Sequence, residues 1–278
     1  MTVLCVLGGS AEKATPQIET AISLSKRLGR PLTGLVAFPD PANAAMYYVS
    51  GETVMAGAST MSAVKEAQDE ARKDLETAFD GVASAAGSWL NAEIVQETGH
   101  VQSTTAAYAI LSDANVFPRE ASLTSHSLNA TFEYVLMDER LPVVLASTTG
   151  AIEGPALIAW DGSPRAMRAV RAHLPLIQSL GHAVIAHNPD KDREVAGTAE
   201  IASAEALADW LRAERVEAKV ELFSGKVSAG LLELAKTHKA GLIVMGAYGH
   251  SRIGQMLFGG TSRALLRAEG GPALAMAH

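Results

Sequence analysis

One succession of apolar runs and helical patterns occurs twice along this chain of 278 residues, and it restricts the fold more than any other feature. The first occurrence begins with the apolar run 3–9, which ends in two glycines. A helical spacing of apolar residues covers 17–28, Gly29 stops it, and a second apolar run covers 32–37. Apolar runs that alternate with helical patterns are typical of parallel strands connected by helices.

The second occurrence has the same order. The apolar run 155–160 leads into a turn in which Ser163 is suited to cap a helix and Pro164 to begin it. A helical pattern then covers 165–180, and an apolar run covers 183–187. The repetition predicts two units of similar fold, which agrees with a chain long enough for one domain or two.

Both units continue with further strands and helices. The predicted later strands are 92–97, 114–118, 141–146, 217–223, 241–245 and 271–276. The predicted later helices include 61–86, 131–140 and 261–270, and a Gly/Ser/Ala-rich linker is expected at 41–60. The expected fold class is α/β, with residues 1–150 and 151–278 each forming a parallel, doubly wound sheet.

Composition supports this class and excludes others. Hydrophobic residues make up 48% of the chain and aromatic residues only 5%, which suits aliphatic parallel strands. Cys5 is the single cysteine, so an intrachain disulfide and a thiolate zinc site are excluded. No apolar run is long enough to span a bilayer, and the first residues lack the basic stretch of a signal peptide. We therefore expect a cytoplasmic protein without a membrane partner.

The charge is unevenly distributed. The net charge is −7, which argues against nucleic acid as a partner. Residues 1–150 carry 17 acidic and 9 basic side chains, whereas residues 151–278 carry 13 acidic and 14 basic ones. Electrostatics therefore favours the second unit as the place for an anionic ligand.

A glycine-flanked loop in the second unit is the feature that most directly indicates binding. The apolar run 242–245 ends at Gly246, and Gly249 follows three residues later. Gly259 and Gly260 then precede Thr261, where the last helix is expected to open. Free amides at a helix N-terminus attract anions and suit a di- or triphosphate. The alternative is that these glycines only shape turns.

An acidic residue follows the first strand of the same unit. Asp161 comes directly after the run 155–160, at the end of a strand where ligands bind in open α/β sheets. A carboxylate in this place can accept hydrogen bonds from two ribose hydroxyls. Alternatively, it forms an Asx-turn before Ser163 and Pro164.

Residues 155–278 resemble a universal stress protein domain. The family pattern G-x2-G-x9-G-S/T is matched by Gly246, Gly249 and Gly259, and Asp161 in AWDGSP matches the acidic residue of the family. The whole chain resembles tandem universal stress proteins, although its first unit matches more weakly. The resemblance implies a flavodoxin-like, Rossmann-like fold with strand order 3-2-1-4-5 in each unit, and a regulatory role in the stress response.

The resemblance also implies an adenine nucleotide, ATP or AMP, with or without Mg²⁺. In this interpretation Asp161 holds the ribose, and Asn188 and Met245 lie near the adenine. The phosphates are then held by Gly246, Gly249, Gly259, Gly260 and Thr261. The family has a hydroxyl residue where this chain has Gly260. A side-chain contact to the terminal phosphate is therefore missing at this position, and the choice between ATP and AMP as the ligand stays open. Arg252 either reaches the phosphates or is a solvated surface charge, and His250 is expected to be a turn residue.

The first unit lacks this motif. The turn after its first strand, Leu7-Gly8-Gly9-Ser10, has no acidic residue, and the stretch 117–127 has no glycine. Asn129 aligns with Gly259. We therefore expect one nucleotide site, in residues 151–278.

Three functions remain open. No Walker A loop, G-x-G-x-x-G fingerprint or H-E-x-x-H pair is present, so the leading hypothesis is a nucleotide-binding regulatory protein without designed turnover. The alternatives are a slow adenine-nucleotide hydrolase that uses His250 or Asp161, and a ligand-free interaction scaffold. The two units are expected to pair within the chain through strands 142–146 and 272–277, which leaves a monomer or a homodimer open.

Overall fold

The apolar runs of the sequence form the strands of one continuous sheet. The computed structural model describes residues 1–48, 58–191, 202–247, 260–268 and 270–278. Its strands are β1 (Thr2–Leu7), β2 (Leu32–Phe38), β3 (Ala92–Thr98), β4 (Ser112–Phe117), β5 (Val143–Leu145), β6 (Ala156–Trp160), β7 (His182–His187), β8 (Glu217–Leu222), β9 (Leu242–Gly246) and β10 (Ala273–Ala277). The α/β fold class is therefore confirmed.

Helices connect these strands and cover both faces of the sheet. The described α-helices are α1 (Thr15–Leu28), α2 (Pro41–Tyr48), α3 (Ala58–Ala86), α4 (Val101–Ala109), α5 (Asn129–Glu133), α6 (Pro164–Ala172), α7 (Leu174–Leu180), α8 (Ala204–Ala213), α9 (Val227–Thr237) and α10 (Gly260–Arg267). A π-helical turn, Tyr134–Asp138, extends α5. One buried cluster underlies α1, α3, α6, α7 and α8, and a second cluster underlies α4, α5, α9 and α10.

The ten strands have the order β3-β2-β1-β4-β5-β10-β9-β6-β7-β8. Each half of the sheet therefore keeps the order third, second, first, fourth, fifth. The strands expected to lie side by side, 142–146 and 272–277, contain β5 and β10, which pair antiparallel and join the two five-stranded halves into a single sheet. All other strand pairs are parallel.

The antiparallel joint reverses the direction of the strands. Strands β4 and β5 run one way, and β10 and β9 run the other. Beside this joint, the carboxyl ends of the first-half strands lie next to the amino ends of the second-half strands. The crevices in which such sheets bind ligands therefore open in opposite directions in the two halves.

Two predicted elements were wrong in detail. The helix expected over 165–180 is interrupted at His173, because Pro175 has no backbone N–H to continue it and is accommodated in the first turn of α7. The linker expected at 41–60 contains helix α2 and the start of α3. The Asp40 carboxylate accepts a hydrogen bond from the Ala42 amide at 2.8 Å and so caps α2, which begins with Pro41.

Candidate functional site

Three strand ends meet at one edge of the second half. In the sheet, β6 lies between β7 and β9. Trp160 is opposite His187, and the register of β6 with β9 places Gly246 level with Trp160, two residues beyond the pair Ile158 and Val244. The residues that follow these strands therefore lie side by side where the strand order reverses, which is where doubly wound sheets bind ligands.

Asp161 is the first residue after β6. Its Oδ1 accepts a hydrogen bond from the Ser163 amide at 3.0 Å, and the Ser163 hydroxyl accepts one from Ala166 at 3.2 Å. The Asx-turn considered from the sequence is thus present. The residue is also exposed, and Oδ2 has no hydrogen bond to any part of the chain that the structure describes. A turn held by Oδ1 leaves Oδ2 available to accept from a ligand hydroxyl.

Asn188 is the first residue after β7, and it is 5% exposed. Its Nδ2 donates to the Gly225 carbonyl at 3.1 Å, and its Oδ1 accepts from the Asp190 amide at 3.1 Å. The side chain therefore ties the end of β7 to the loop that follows β8. Asn188 lies at the predicted edge, but its amide stabilises the edge itself.

Met245 and Gly246 end β9. Met245 is 8% exposed and belongs to the core under α9 and α10. A Cβ added at Gly246 would lie 3.0 Å from the Arg165 carbonyl carbon and 3.1 Å from the Ala166 nitrogen. Close packing of the first turn of α6 therefore accounts for this glycine independently of any phosphate.

Helix α10 begins at Gly260, close to the predicted start at Thr261. It connects two parallel strands, β9 and β10, so its N-terminus lies at the carboxyl edge that also carries Asp161. Gly260 is exposed, and an added Cβ would have no neighbour within 4 Å. The first amides of a helix have no partner within it and favour an anion. The predicted residues Gly249, Arg252 and Gly259, together with His250, lie outside the described residues.

The corresponding crevice of the first half is filled by its own side chains. A Cβ added at Gly8 would lie 2.8 Å from Leu128 Cγ, and one added at Gly9 would lie 2.8 Å from His126 Nε2. Gln17, 2% exposed, donates to the carbonyls of Val6 and Val116 at 2.7 and 3.1 Å. It therefore bridges the ends of β1 and β4. Sequence reasoning missed this filling, since its partners are far apart along the chain.

The pKa of His126 agrees with this packing. Burial lowers the pKa of the imidazole, and its Nδ1 accepts a hydrogen bond from the Leu128 amide at 3.1 Å. A neutral ring with Nδ1 as acceptor carries its proton on Nε2, the atom that faces Gly9.

An open groove of about 600 Å³ lies away from the predicted site. It runs along the amino ends of β6, β7 and β8 and is lined by Pro155, His182, Glu217 and His238 among others. The carboxyl-edge residues discussed above do not contribute to it. Within the described ranges there is no group of three or more metal-binding side chains. None of the described helices could cross a membrane.

Comparison with known proteins supports the sequence resemblance. Residues 154–269 match the model of the universal stress protein family. No curated protein matches the chain significantly. The structure resembles that of a universal stress protein from Archaeoglobus fulgidus DSM 4304, with a TM-score of 0.62, 18% identity, and coverage of 99% of this chain and 97% of that chain.

Two structures from Pseudomonas aeruginosa share the fold as well. A functionally unknown protein from strain PAO1 has a TM-score of 0.51 and 13% identity, and the alignment covers 99% of this chain and 92% of that chain. A putative universal stress protein from strain UCBPP-PA14 has a TM-score of 0.50 and 13% identity, with coverage of 99% and 91%. The family match at 154–269 supports a UspA-like protein with a universal stress protein domain in its second half, and the similar structures show that the fold is shared over the whole chain.

Proposed function

We propose that this protein binds an adenine nucleotide, ATP or AMP, at one site in residues 151–278 and serves as a nucleotide-responsive regulator in the stress response. In this proposal residues 1–150 and 151–278 are two domains, and the first has no nucleotide site. One observation carries it: the exposed Asp161 carboxylate and the N-terminus of α10 share one edge, inside the stretch that matches the family.

The two ends of this edge suit the two ends of a nucleotide. Asp161 Oδ2 accepts hydrogen bonds from the ribose hydroxyls, while Oδ1 keeps its hydrogen bond from the Ser163 amide and so holds the turn. The first amides of α10 and the Thr261 hydroxyl donate hydrogen bonds to the phosphates, whose charge the helix dipole favours. The adenine lies beside Asn188 and Met245. It packs against this edge of the sheet and makes no hydrogen bond with the Asn188 side-chain amide, which is already hydrogen-bonded within the chain. Gly249, Arg252 and Gly259 complete the phosphate loop.

The electrostatics of this edge favours an anion. His278 follows β10, and burial together with the cations Arg165, Arg168 and Arg140 lowers the pKa of its imidazole. Arg140 comes from the first half, because the amino end of β5 lies beside the carboxyl end of β10. These nearby cations agree with the charge balance of residues 151–278, which carry 14 basic and 13 acidic side chains. Mg²⁺ would accompany ATP through the phosphate oxygens.

Mass spectrometry and calorimetry test this proposal. Small molecules extracted from the purified protein are identified by mass, and ATP, AMP and adenosine are then titrated into the ligand-free chain. We expect about one adenine nucleotide per chain. Absence of bound nucleotide, together with no heat of binding for ATP or AMP, would refute the proposal. Sustained turnover of ATP would instead favour the hydrolase alternative.

Asp161→Asn tests the site itself. The amide oxygen can keep the Asx-turn, so folding stability should stay unchanged, whereas the loss of a charged acceptor for ribose should weaken binding about tenfold. The matched control is Asp209→Asn, which removes an exposed carboxylate whose ion pair with Arg212 contributes little. Equal nucleotide affinity in the Asp161 and Asp209 variants would contradict the assignment of the ribose to Asp161.

A further inference from the structure

One buried arginine of the first half reaches into the second half. Arg119 lies in the short 3-10 helix that follows β4, and it is 8% exposed. Burial lowers the pKa of its guanidinium, yet the group is matched by four carbonyl oxygens rather than by a carboxylate. These carbonyl oxygens accept from four of the five N–H bonds that a guanidinium presents in its planar fork.

Two of these carbonyls belong to the last turn of α10. Nε donates to the Leu266 carbonyl at 2.8 Å, and Nη2 donates to the Leu265 carbonyl. Nη1 donates to Pro272 at 2.9 Å and to Ala146 at 3.2 Å, so the same group also holds the approach to β10 and the residue after β5. Arg119 thus caps the C-terminus of α10 from the other half of the chain.

Helix α10 needs such support. It has 8 residues, and a helix of this length forms only about four internal backbone hydrogen bonds. Isolated helices this short are not stable in water, so tertiary contacts must hold it. Leu265 is its one fully buried side chain among the residues described. A cation at the helix C-terminus satisfies otherwise unpaired carbonyls and interacts favourably with the dipole.

We infer that Arg119 is a positioning residue for the phosphate site, through which the first half keeps the N-terminus of α10 in place. The role of Arg119 toward a phosphate rests on the proposed nucleotide function, whereas its stabilisation of α10 does not depend on that function. Loss of the cap frays the last turn of a helix with few turns and displaces the amides at Gly260 and Thr261. The first half, although its own crevice is filled, thereby controls binding in the second.

The chain offers a second perturbation and a matched control. A Cβ added at Gly271 would lie 2.6 Å from Arg119 Nη2 and 2.9 Å from the Ala268 carbonyl oxygen, so Gly271→Ala crowds the guanidinium and the turn after α10 without removing the charge. Arg27 also crosses between the halves, donating from Nε to the Ile152 carbonyl at 2.8 Å, and it is remote from α10. Arg27→Met therefore breaks a comparable contact elsewhere.

Hydrogen exchange in the ligand-free chain tests the hold on α10. We expect the amides of α10 to exchange at least about tenfold faster in Arg119→Met and Gly271→Ala, with an intermediate effect in Arg119→Lys, which keeps the charge but loses the fork. Arg27→Met should leave α10 unchanged. Unchanged exchange of α10 in folded Arg119→Met, or in folded Gly271→Ala where the first variant does not fold, would overturn the inference.

Nucleotide titration separates positioning from general destabilisation. Arg119 supports the phosphate end, so ATP affinity should fall about tenfold while adenosine affinity changes less than about twofold. Equal losses for ATP and adenosine, or an unchanged ATP affinity, would overturn the positioning role. If the wild-type chain binds neither, the proposed function fails, and the exchange measurement alone decides whether Arg119 holds α10.

Discussion

His173 should make the stability of this protein sensitive to mild acid. The residue lies at the break between α6 and α7 and is 3% exposed. Its Nε2 is 3.1 Å from the Met276 carbonyl oxygen, and because a carbonyl can only accept, Nε2 carries the proton. Burial lowers the pKa of the imidazole to about 4.

The sign of the effect follows from proton binding. In the unfolded chain a histidine has a pKa of about 6.5. Between these two values the unfolded state binds one more proton than the folded state, so the free energy of unfolding decreases as the pH falls. The part of the free energy of unfolding that depends on a neutral His173 is fully present above about pH 6.5. By pH 4.5 its loss amounts to about 2–3 kcal/mol, at about 1.4 kcal/mol for each pH unit.

Urea unfolding at pH 7.5 and 4.5 measures this loss. His173→Gln can still donate to the Met276 carbonyl but does not titrate, so its stability should fall about 2–3 kcal/mol less than that of the wild type over this interval. His182→Gln is the control, since His182 is an exposed histidine on β7. If the wild type and His173→Gln lose the same free energy between the two pH values, the argument from burial is refuted.

Two further predictions concern other sites. Gly260→Ser introduces the hydroxyl of the family pattern at a position with open space, so ATP affinity should rise about tenfold while adenosine affinity stays unchanged. Calorimetry measures both affinities, and an equal gain for both ligands would contradict a phosphate contact. Cys5 is fully buried in β1, and burial raises the pKa of its thiol. A thiol reagent should therefore modify it only as fast as the chain unfolds, and rapid labelling of the native protein would contradict its placement.

Local patterns carry most of the information about the elements. Gly29 and Gly181 end α1 and α7 with positive φ angles, and Ser163 and Pro164 open α6, because these are preferences of single residues that act over a few neighbours. The interruption at His173 also has a local cause, Pro175, but the helical spacing of the apolar residues around it led to the prediction of one continuous helix. The strand order in each half followed from the family resemblance.

The candidate site was only partly predictable. The sequence indicated Asp161 and the start of α10, since a strand end and a helix start are both local features. Its assignment of Gly246 to the phosphates stays a prediction, and it did not indicate that the backbone of α6 packs against this glycine. Its assignment of Asn188 to the adenine also stays a prediction, and it did not indicate that the Asn188 amide joins two loops of the edge.

By itself, the sequence determined the repeated succession of strands and helices, the missing motif of the first half, and the strand end of the second half that carries Asp161. Only the tertiary structure decided that β5 and β10 pair in the antiparallel direction, that Leu128 occupies the first crevice, and that Arg119 caps α10. The partners of Arg119 lie between 27 and 153 residues away along the chain. Contacts at such separations depend on how the sheet brings the two halves together, and no local preference of a residue encodes them.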